Sequence, residues 1–505
     1  MSVRELPARP NLEHLKKQAR ELLNERLASD PAAVARFAAF SITSDPPKLA
    51  DALHVIAREY GFATWPALKL RLEAGSEEPV QALTAAVKSN DAALVRQVLD
   101  RHPSLRSRIN EPLPNYGFDA PALVAAVNHN NREMVDVLLD AGANINERTR
   151  WWAGSFGVLD SAQGELATYL ISRGATIDIH SAARLGMIDR VRELLAANPQ
   201  LVHARGGDGQ FPLHFAATVE IAALLLDAGA DINARDIDHE STALQYMVGV
   251  KPYRHEVAKF LVERGAQADI IAASALGDLA LVERILNDDP ETVRTTIGER
   301  NFPKQNPRSG GVIYSFGLGF TKSPQMISHQ FGHTAVFELL MQRSPNWLRL
   351  LNAAEVGDEQ RARQILAQHP TLFAKLSSNA ARRIVGVAVR DNARALELLL
   401  EMGWPANAVL DNNQTALHYA AWHGNLASVR ALLSHNAPVN VAENQHGGTP
   451  LGWTLHGSLN SWHRDIGDYA GVAKALLDAG AEMPRPDGPL EATEEVLEVL
   501  RQTQN

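Results

Sequence analysis

Residues Gln414 to Asn440 read QTALHYAAWHGNLASVRALLSHNAPVN, and this stretch decides the fold. Leu417, Ala420 and Ala421 fall at i, i+3 and i+4 on a first helix. Gly424-Asn425 turns the chain, and Val429, Leu432 and Leu433 repeat the spacing on a second helix. A polar hairpin follows. Each helix is roughly ten residues, too short to persist in water alone, so its apolar stripe is buried against a like neighbour.

The block resembles the ankyrin repeat, whose pattern T-P-L-H-x-A-A-x-x-G-H, a valine-leucine-leucine helix and then G-A-D-x-N it matches at almost every position. The apolar pair that closes each second helix recurs along the chain, at Val98-Leu99, Leu138-Leu139, Leu225-Leu226, Leu399-Leu400, Leu432-Leu433 and Leu476-Leu477 among others. About 12 irregular repeats are thereby expected between residues 79 and 484, against a family period of about 33. The resemblance implies an all-α fold, an ankyrin-repeat solenoid of helix-turn-helix units with β-hairpin fingers, behind a small N-terminal helical domain.

A chain of 505 residues with 45% hydrophobic content exceeds what one globular core usually serves. A solenoid removes that limit, because it grows by stacking. The net charge of −9 and pI near 6.1 argue against nucleic acid as the main partner. With no cysteine, thiolate metal sites, disulfides and a cysteine nucleophile are excluded. The start, MSVRELPARPNLEHLKKQ, lacks the apolar core of a signal peptide, and no run of about eighteen apolar residues predicts a membrane span. Cytoplasmic residence is the default expectation.

Residues 1–78 do not carry the repeat. Leu12, Leu15, Ala19, Leu22 and Leu23 share one helix face, with Asn11 as N-cap and Asp30-Pro31 as the stop. Leu49, Leu53, Ile56 and Ala57 mark a further helix that ends at Gly61, and Trp65 is assigned to the core. RPNLEHLKKQARELL and AREYGFATWPALK resemble the helical segment that precedes ankyrin arrays in many bacterial proteins, and eleven basic against eleven acidic residues argue against a basic docking patch. A cap shielding the first repeat is the expected role. The remaining divisions are 79–286 and 323–484 for the two halves of the array, 287–322 for a long finger insertion, and 485–505 for a capping helix.

Three repeats lack a hairpin, so that the segments at Ala175–Asp178, Gln267–Asp269 and Ser344–Asn346 run directly into the next helix. In the insertion, Val312, Tyr314 and Phe316 alternate as in a strand, with Gly310-Gly311 as the turn before it. LHGSLNSWHRDIGDYAGVAKALL lengthens the link between the helices of the last full repeat by about ten residues.

Most histidines are structural: by the resemblance, His214 and His418 hydrogen-bond backbone between repeats. His329 and His333 have a ligand-like i, i+4 spacing, but Gly332 breaks the helix between them and no third ligand is in view, so no metal site is expected. The finger RDIDHEST crowds Asp236, Asp238, His239 and Glu240 together, with Asp208 in the preceding finger, GGDGQ. Carboxylates beside a histidine suit acid and base catalysis; ankyrin fingers are also rich in acids that merely satisfy turns. RTRWWAGSFGVLD supplies Trp151, Trp152, Phe156 and Asp160 as candidate binding residues, and Tyr314 joins them from the insertion. A later set holds Trp422, His423, Trp453, His456, Trp462, His463 and Asp468, with Gly452 standing where the family pattern has histidine. In a linear stack the early and late tryptophans lie roughly 90 Å apart.

No phosphate loop, G-x-G-x-x-G, G-x-S-x-G or H-E-x-x-H is present, and no cofactor is implied. The leading expectation is a binding scaffold that presents a concave groove and aromatic-rich fingers to a protein or small-molecule ligand, with neither nucleic acid nor membrane as partner. The alternative is a finger-built hydrolase or lyase acting on a carbohydrate-like molecule through the Asp/His set.

Overall fold

The computed structural model describes residues 4, 6, 12–40, 42, 46–73, 78–484 and 490–504; Asn11, the expected N-cap, lies outside them. Regular structure among the described residues is all helical, and no helix there is long and apolar enough to cross a membrane. The expected β-hairpin fingers are turns without strands. Three are closed by a single antiparallel bridge each, Pro112 with Pro121, Arg235 with Thr242 and Val409 with Thr415. The reason is length: Thr242 and Thr415 are already the N-caps of the following helices, so no residues remain to extend a ladder.

Two compact units make up the chain, Met1–Asp231 with Asp236–Asp238, and Ile232–Arg235 with His239–Asn505. In the first, helices Leu12–Leu27, Pro31–Ala38, Leu49–Glu59 and Trp65–Glu73 gather a small core of Leu15, Leu22, Phe37, Val55, Ile56 and Leu68, with Trp65 half-buried against it. Asp30-Pro31 both stops the first helix and starts the second, because the Asp30 carboxylate accepts from the Ala32 and Ala33 N–H groups at 2.9 Å.

From there the helix pairs repeat, and one side-chain device recurs. An Asp or Asn opens the second helix of a pair and takes up an orphan N–H of its first turn: Asp91 from Leu94, Asn131 from Met134, Asp278 from Leu281, Asp358 from Arg361, Asn425 from Ser428. The asparagines among them also reach the previous repeat, Asn131 to the Asn90 carbonyl at 3.0 Å and Asn425 to Asp391 at 2.7 Å. On the finger side, Asn110, Asn146, Asn233 and Asn440 each accept from a backbone N–H of the next repeat at 2.8–2.9 Å. Where hairpins are missing, Asp178 and Asp269 cap helices Ile179–Arg184 and Ile270–Leu276 directly.

The second unit carries the insertion. Its ends are clasped by two backbone bonds, Ile297 N–H to the Lys322 carbonyl at 3.0 Å and Thr321 N–H to the Ile297 carbonyl at 2.8 Å. The strand expected from Val312, Tyr314 and Phe316 is instead a turn of helix, Tyr314–Gly317. Four residues decide it: Val312, Ile313, Tyr314 and Leu318 are buried together while Phe316 is exposed, a pattern that alternation across a sheet cannot satisfy. Tyr314 is fully buried, so it offers no surface to a ligand and acts as the anchor of the insertion. Its hydroxyl donates to the Asp269 carboxylate at 3.1–3.2 Å, and Gln245 Nε2 donates to the same group at 2.9 Å. Burial raises the Asp269 carboxyl despite these donors and the Ala272 N–H, and burial together with the Asp269 charge holds the Tyr314 phenol well above its ordinary range.

Replacing Tyr314 by alanine removes a large buried side chain and its donor to Asp269, at a cost of about 3–5 kcal/mol. Native-state trypsin digestion checks the anchoring: wild type resists at Arg300, Lys304, Arg308 and Lys322, and Tyr314→Ala is cut there first.

Candidate functional site

The aromatic finger of the first unit is built by Arg148. Its guanidinium binds the Ser155 carbonyl at 2.8 Å, Asp160 at 3.1 Å and Asp178 at 3.3 Å, tying the two ends of the finger to the next repeat. Thr149 closes the turn, donating its N–H to the Phe156 carbonyl and accepting from the Phe156 N–H on its hydroxyl, both at 2.9 Å. Burial raises the Asp160 carboxyl, against Arg148 and the Gly157 N–H. At Asp178 burial pushes the same way but is outweighed by the Ser181 N–H and hydroxyl, which leave it below its ordinary range. Asn146, Arg148, Asp160, Thr176, Asp178 and Ser181 line a cavity of about 320 Å³ together with the apolar Ile145, Val158 and Leu159.

On this base Trp151, Trp152 and Phe156 are half-buried rather than splayed into solvent. Phe118, from the preceding finger, completes the cluster with ring centroids 5.1 Å from Trp151 and 5.3 Å from Phe156. Sequence reasoning missed Phe118; its signal is an aromatic residue in the polar finger one repeat earlier. The next finger, GGDGQ, fits against the same group. A Cβ added at Gly207 would stand 2.1 Å from the Phe156 ring, which is why two glycines precede Asp208.

Asp208, in a left-handed turn at φ 54°, accepts on its carbonyl from the Ile237 and Asp238 N–H groups at 2.9 and 3.1 Å, which brings Asp238 beside it in the first unit. Asp208, Asp236 and Asp238 are all buried. His239 and Glu240 belong to the second unit and hold the insertion: a His239 ring nitrogen meets the Gly311 carbonyl at 3.0 Å, and the Glu240 carboxylate accepts from the Gln305 and Asn306 N–H groups at 2.8 and 2.6 Å.

The late aromatic set is contiguous. Trp422 stands 6.2 Å from Trp453, 6.0 Å from Trp462 and 5.6 Å from His456, and His423 stands 5.7 Å from Trp462 and 4.8 Å from His463. Part of the extra length of the last repeat extends its first helix, Pro450–Asn460, and the rest forms a short link to helix Tyr469–Asp478. The link is fixed where it enters the second helix: Asp468 N–H donates to the Gly424 carbonyl at 2.8 Å and the Tyr469 hydroxyl to the Trp422 carbonyl at 3.0 Å. Asp468 is thus an N-cap, accepting from Gly471 N–H at 2.9 Å. His463 Nδ1 lies 3.5 Å from Asp391. Trp453 packs against Gly448, where an added Cβ would stand 3.0 Å from the indole, and its ring centroid lies 5.3 Å from those of both His418 and Tyr419. At the outer surface Trp462 is 70% exposed and Ile466 82%. Ile466 was legible only as an apolar residue inside a polar link.

His418 is structural in detail. Its Nδ1 accepts from the Thr415 N–H at 3.1 Å, so Nε2 carries the proton donated to the Gly448 carbonyl at 3.1 Å. Burial lowers its pKa, and burial likewise lowers that of His423. Because the folded chain releases these protons more readily than the unfolded one, stability is full above the ordinary imidazole range of about 6.5 and is lost as pH falls through the depressed values. Urea midpoints measured at pH 7.5 and 5.5 are expected to fall on acidification, and His418→Gln is expected to flatten that slope while costing about 1–3 kcal/mol at the higher pH.

Comparison with known proteins agrees with this geometry. A family model described as ankyrin repeats in three copies matches residues 179–272, 350–443 and 384–487, and a single ankyrin-repeat model matches 120–150; together they take in just over half of the chain. An ankyrin repeat domain-containing protein, SAT10, of the fungus Stachybotrys chartarum is 25% identical over 368 residues, 63% of this chain and 18% of its own length. Ankyrin repeat and SAM domain-containing protein 6 of Rattus norvegicus is 32% identical over 120 residues, 23% of this chain and 13% of its own. Probable E3 ubiquitin-protein ligase XBOS32 of Oryza sativa is 30% identical over 144 residues, 28% of this chain and 29% of its own. The chain thus spans less than a third of each of these relatives. The repeated helix pairs, their Asp and Asn caps and the two family models place this chain in the ankyrin-repeat family.

Proposed function

We propose that the chain is a protein-binding scaffold whose principal contact is the aromatic link of the last full repeat. The observation that carries this reading is the pairing of two large exposed apolar residues, Trp462 and Ile466, with Leu459 also exposed at 41%, on a segment held rigid from behind. Trp422 and His423 brace the indole of Trp462, and the bonds to Gly424 and Trp422 fix the link. An exposed indole whose position is set before binding loses little entropy on contact and is the side chain most enriched at interface hot spots. Isolated apolar residues on a surface need no explanation; two large ones on a braced segment mark a contact.

The half-buried finger of Trp151, Trp152, Phe156 and Asp160 offers a second surface to a partner, with Phe118 at 45% exposure as its outermost ring. The alternative, a hydrolase or lyase acting through Asp208, Asp236, Asp238, His239 and Glu240, has less support. One ring nitrogen of His239 and the carboxylate of Glu240 are engaged by the backbone of the insertion, which gives both residues a structural role.

Trp462→Ala and Ile466→Asp leave the melting temperature close to wild type, since neither side chain is in the core. For a partner captured by wild type, each is expected to weaken binding by about 2 kcal/mol, or roughly thirtyfold. Quantitative titration of that partner against the three proteins is the test, and unchanged affinity in both variants defeats the reading.

A further inference from the structure

The second unit contains a cavity of about 380 Å³ lined by Arg294, Arg300, Arg383, Trp347, Ser377 and Asn379. It draws on separate parts of the chain: the 3-10 turn Pro290–Arg294 and residues Arg300 and Asn301 of the insertion, helix Asn346–Glu355, the turn Ser378–Ala381 with its N-cap Ser377, and helix Arg383–Val389. The one acid in its wall, Glu291, is taken by Arg294 at 2.6 Å. Two guanidinium groups therefore stand in the wall without a carboxylate of the wall to offset them, in a chain whose net charge is −9.

Arg383 shows the imbalance most clearly. Its hydrogen bonds go to neutral acceptors, the Arg294 carbonyl at 3.2 Å and the Thr296 hydroxyl at 3.3 Å. The carboxylate that acts on it, Glu355, is already engaged by Arg390. Burial and then the Arg390 cation bring Arg383 down to about 10, with Arg300 and Arg382 acting in the same direction and Glu355 against them. A half-buried cation left with neutral partners is costly, and an anion placed beside it recovers that cost.

We propose that this cavity binds a small organic phosphomonoester, its phosphate held by Arg300 and Arg383 and its organic part laid on the Trp347 indole. The forked guanidinium matches a phosphate dianion in two parallel hydrogen bonds, which a single carboxylate or a hydroxyl does not reproduce. Trp347 packs on the core of the unit and is half-buried, so it forms a fixed apolar wall beside the cations. The volume lies within the range of about 300–1,000 Å³ usual for small-ligand sites, which favours a free molecule over a phosphorylated side chain of a protein. The site is independent of the aromatic link around Trp462.

Isothermal titration calorimetry of the full chain with phenyl phosphate, inorganic phosphate and a phosphoserine peptide tests the assignment. Wild type is expected to bind phenyl phosphate one to one, and more tightly than either of the other two. Arg300→Gln, a change at an exposed residue, is expected to weaken that binding about tenfold or more, as is usual for a lost charge-assisted bond. Arg383→Gln is expected to abolish binding, and its circular dichroism and melting curve report separately whether it is folded. Absence of binding by folded wild type at millimolar phenyl phosphate overturns the proposal, as does equal binding by wild type and folded Arg300→Gln. Equal affinity for inorganic phosphate overturns the role of Trp347, and tighter binding of the peptide overturns the small-molecule assignment.

Discussion

Helices of seven to ten residues cannot hold their shape in water, and this chain consists largely of such helices. Each survives because its apolar stripe is removed from water by the repeats on either side. In the second unit Leu396, Leu399, Leu417, Ala421, Val429, Leu432, Leu451, Val472 and Leu476 form one continuous core that no single repeat could provide. Everything outside that stripe is free to vary, provided the backbone groups at the helix ends find partners.

The polar residues meet that second demand. Asp and Asn at the turns cap their own helix and, through the asparagine amides and finger asparagines, bond to the adjacent repeat. The density of acids in the fingers is thus in large part a consequence of helix termini. Asp178 and Asp269 each do two jobs at once, capping a helix while pairing with half-buried Arg148 in one case and accepting from buried Tyr314 in the other. Glu240 does comparable work for the insertion without being at a helix end.

Departures from the repeat fall into two physical classes. Some are absorbed by the fold: Tyr314 looks like a surface aromatic in a long loop and is fully buried, and Trp453 packs over Gly448 and edge-on to His418. Others are held out of the core by a rigid support, as Trp462 is by Trp422 and His423. Residue type does not separate the classes, because an indole or a phenol is suited to both. What separates them is whether a neighbouring element is near enough to cover the ring, and that depends on where the loop ends are tied.

Short-range periodicity is enough to place the helix pairs, their boundaries at Gly and Asn and the repeats without hairpins, while the structural role of His418 was legible through the resemblance of its segment to the family pattern, and its hydrogen bonds lie within one or two repeats. The tertiary structure alone decided that residues 312–318 form a buried turn of helix rather than a strand, and that Phe118 joins Trp151 and Phe156. It also decided that His239 and Glu240 serve the insertion, and that Arg300 and Arg383 line one cavity across more than eighty residues of chain. In each of those cases the deciding contact joins residues far apart in sequence, and neither alternation nor composition carries information about which distant surface a loop will meet.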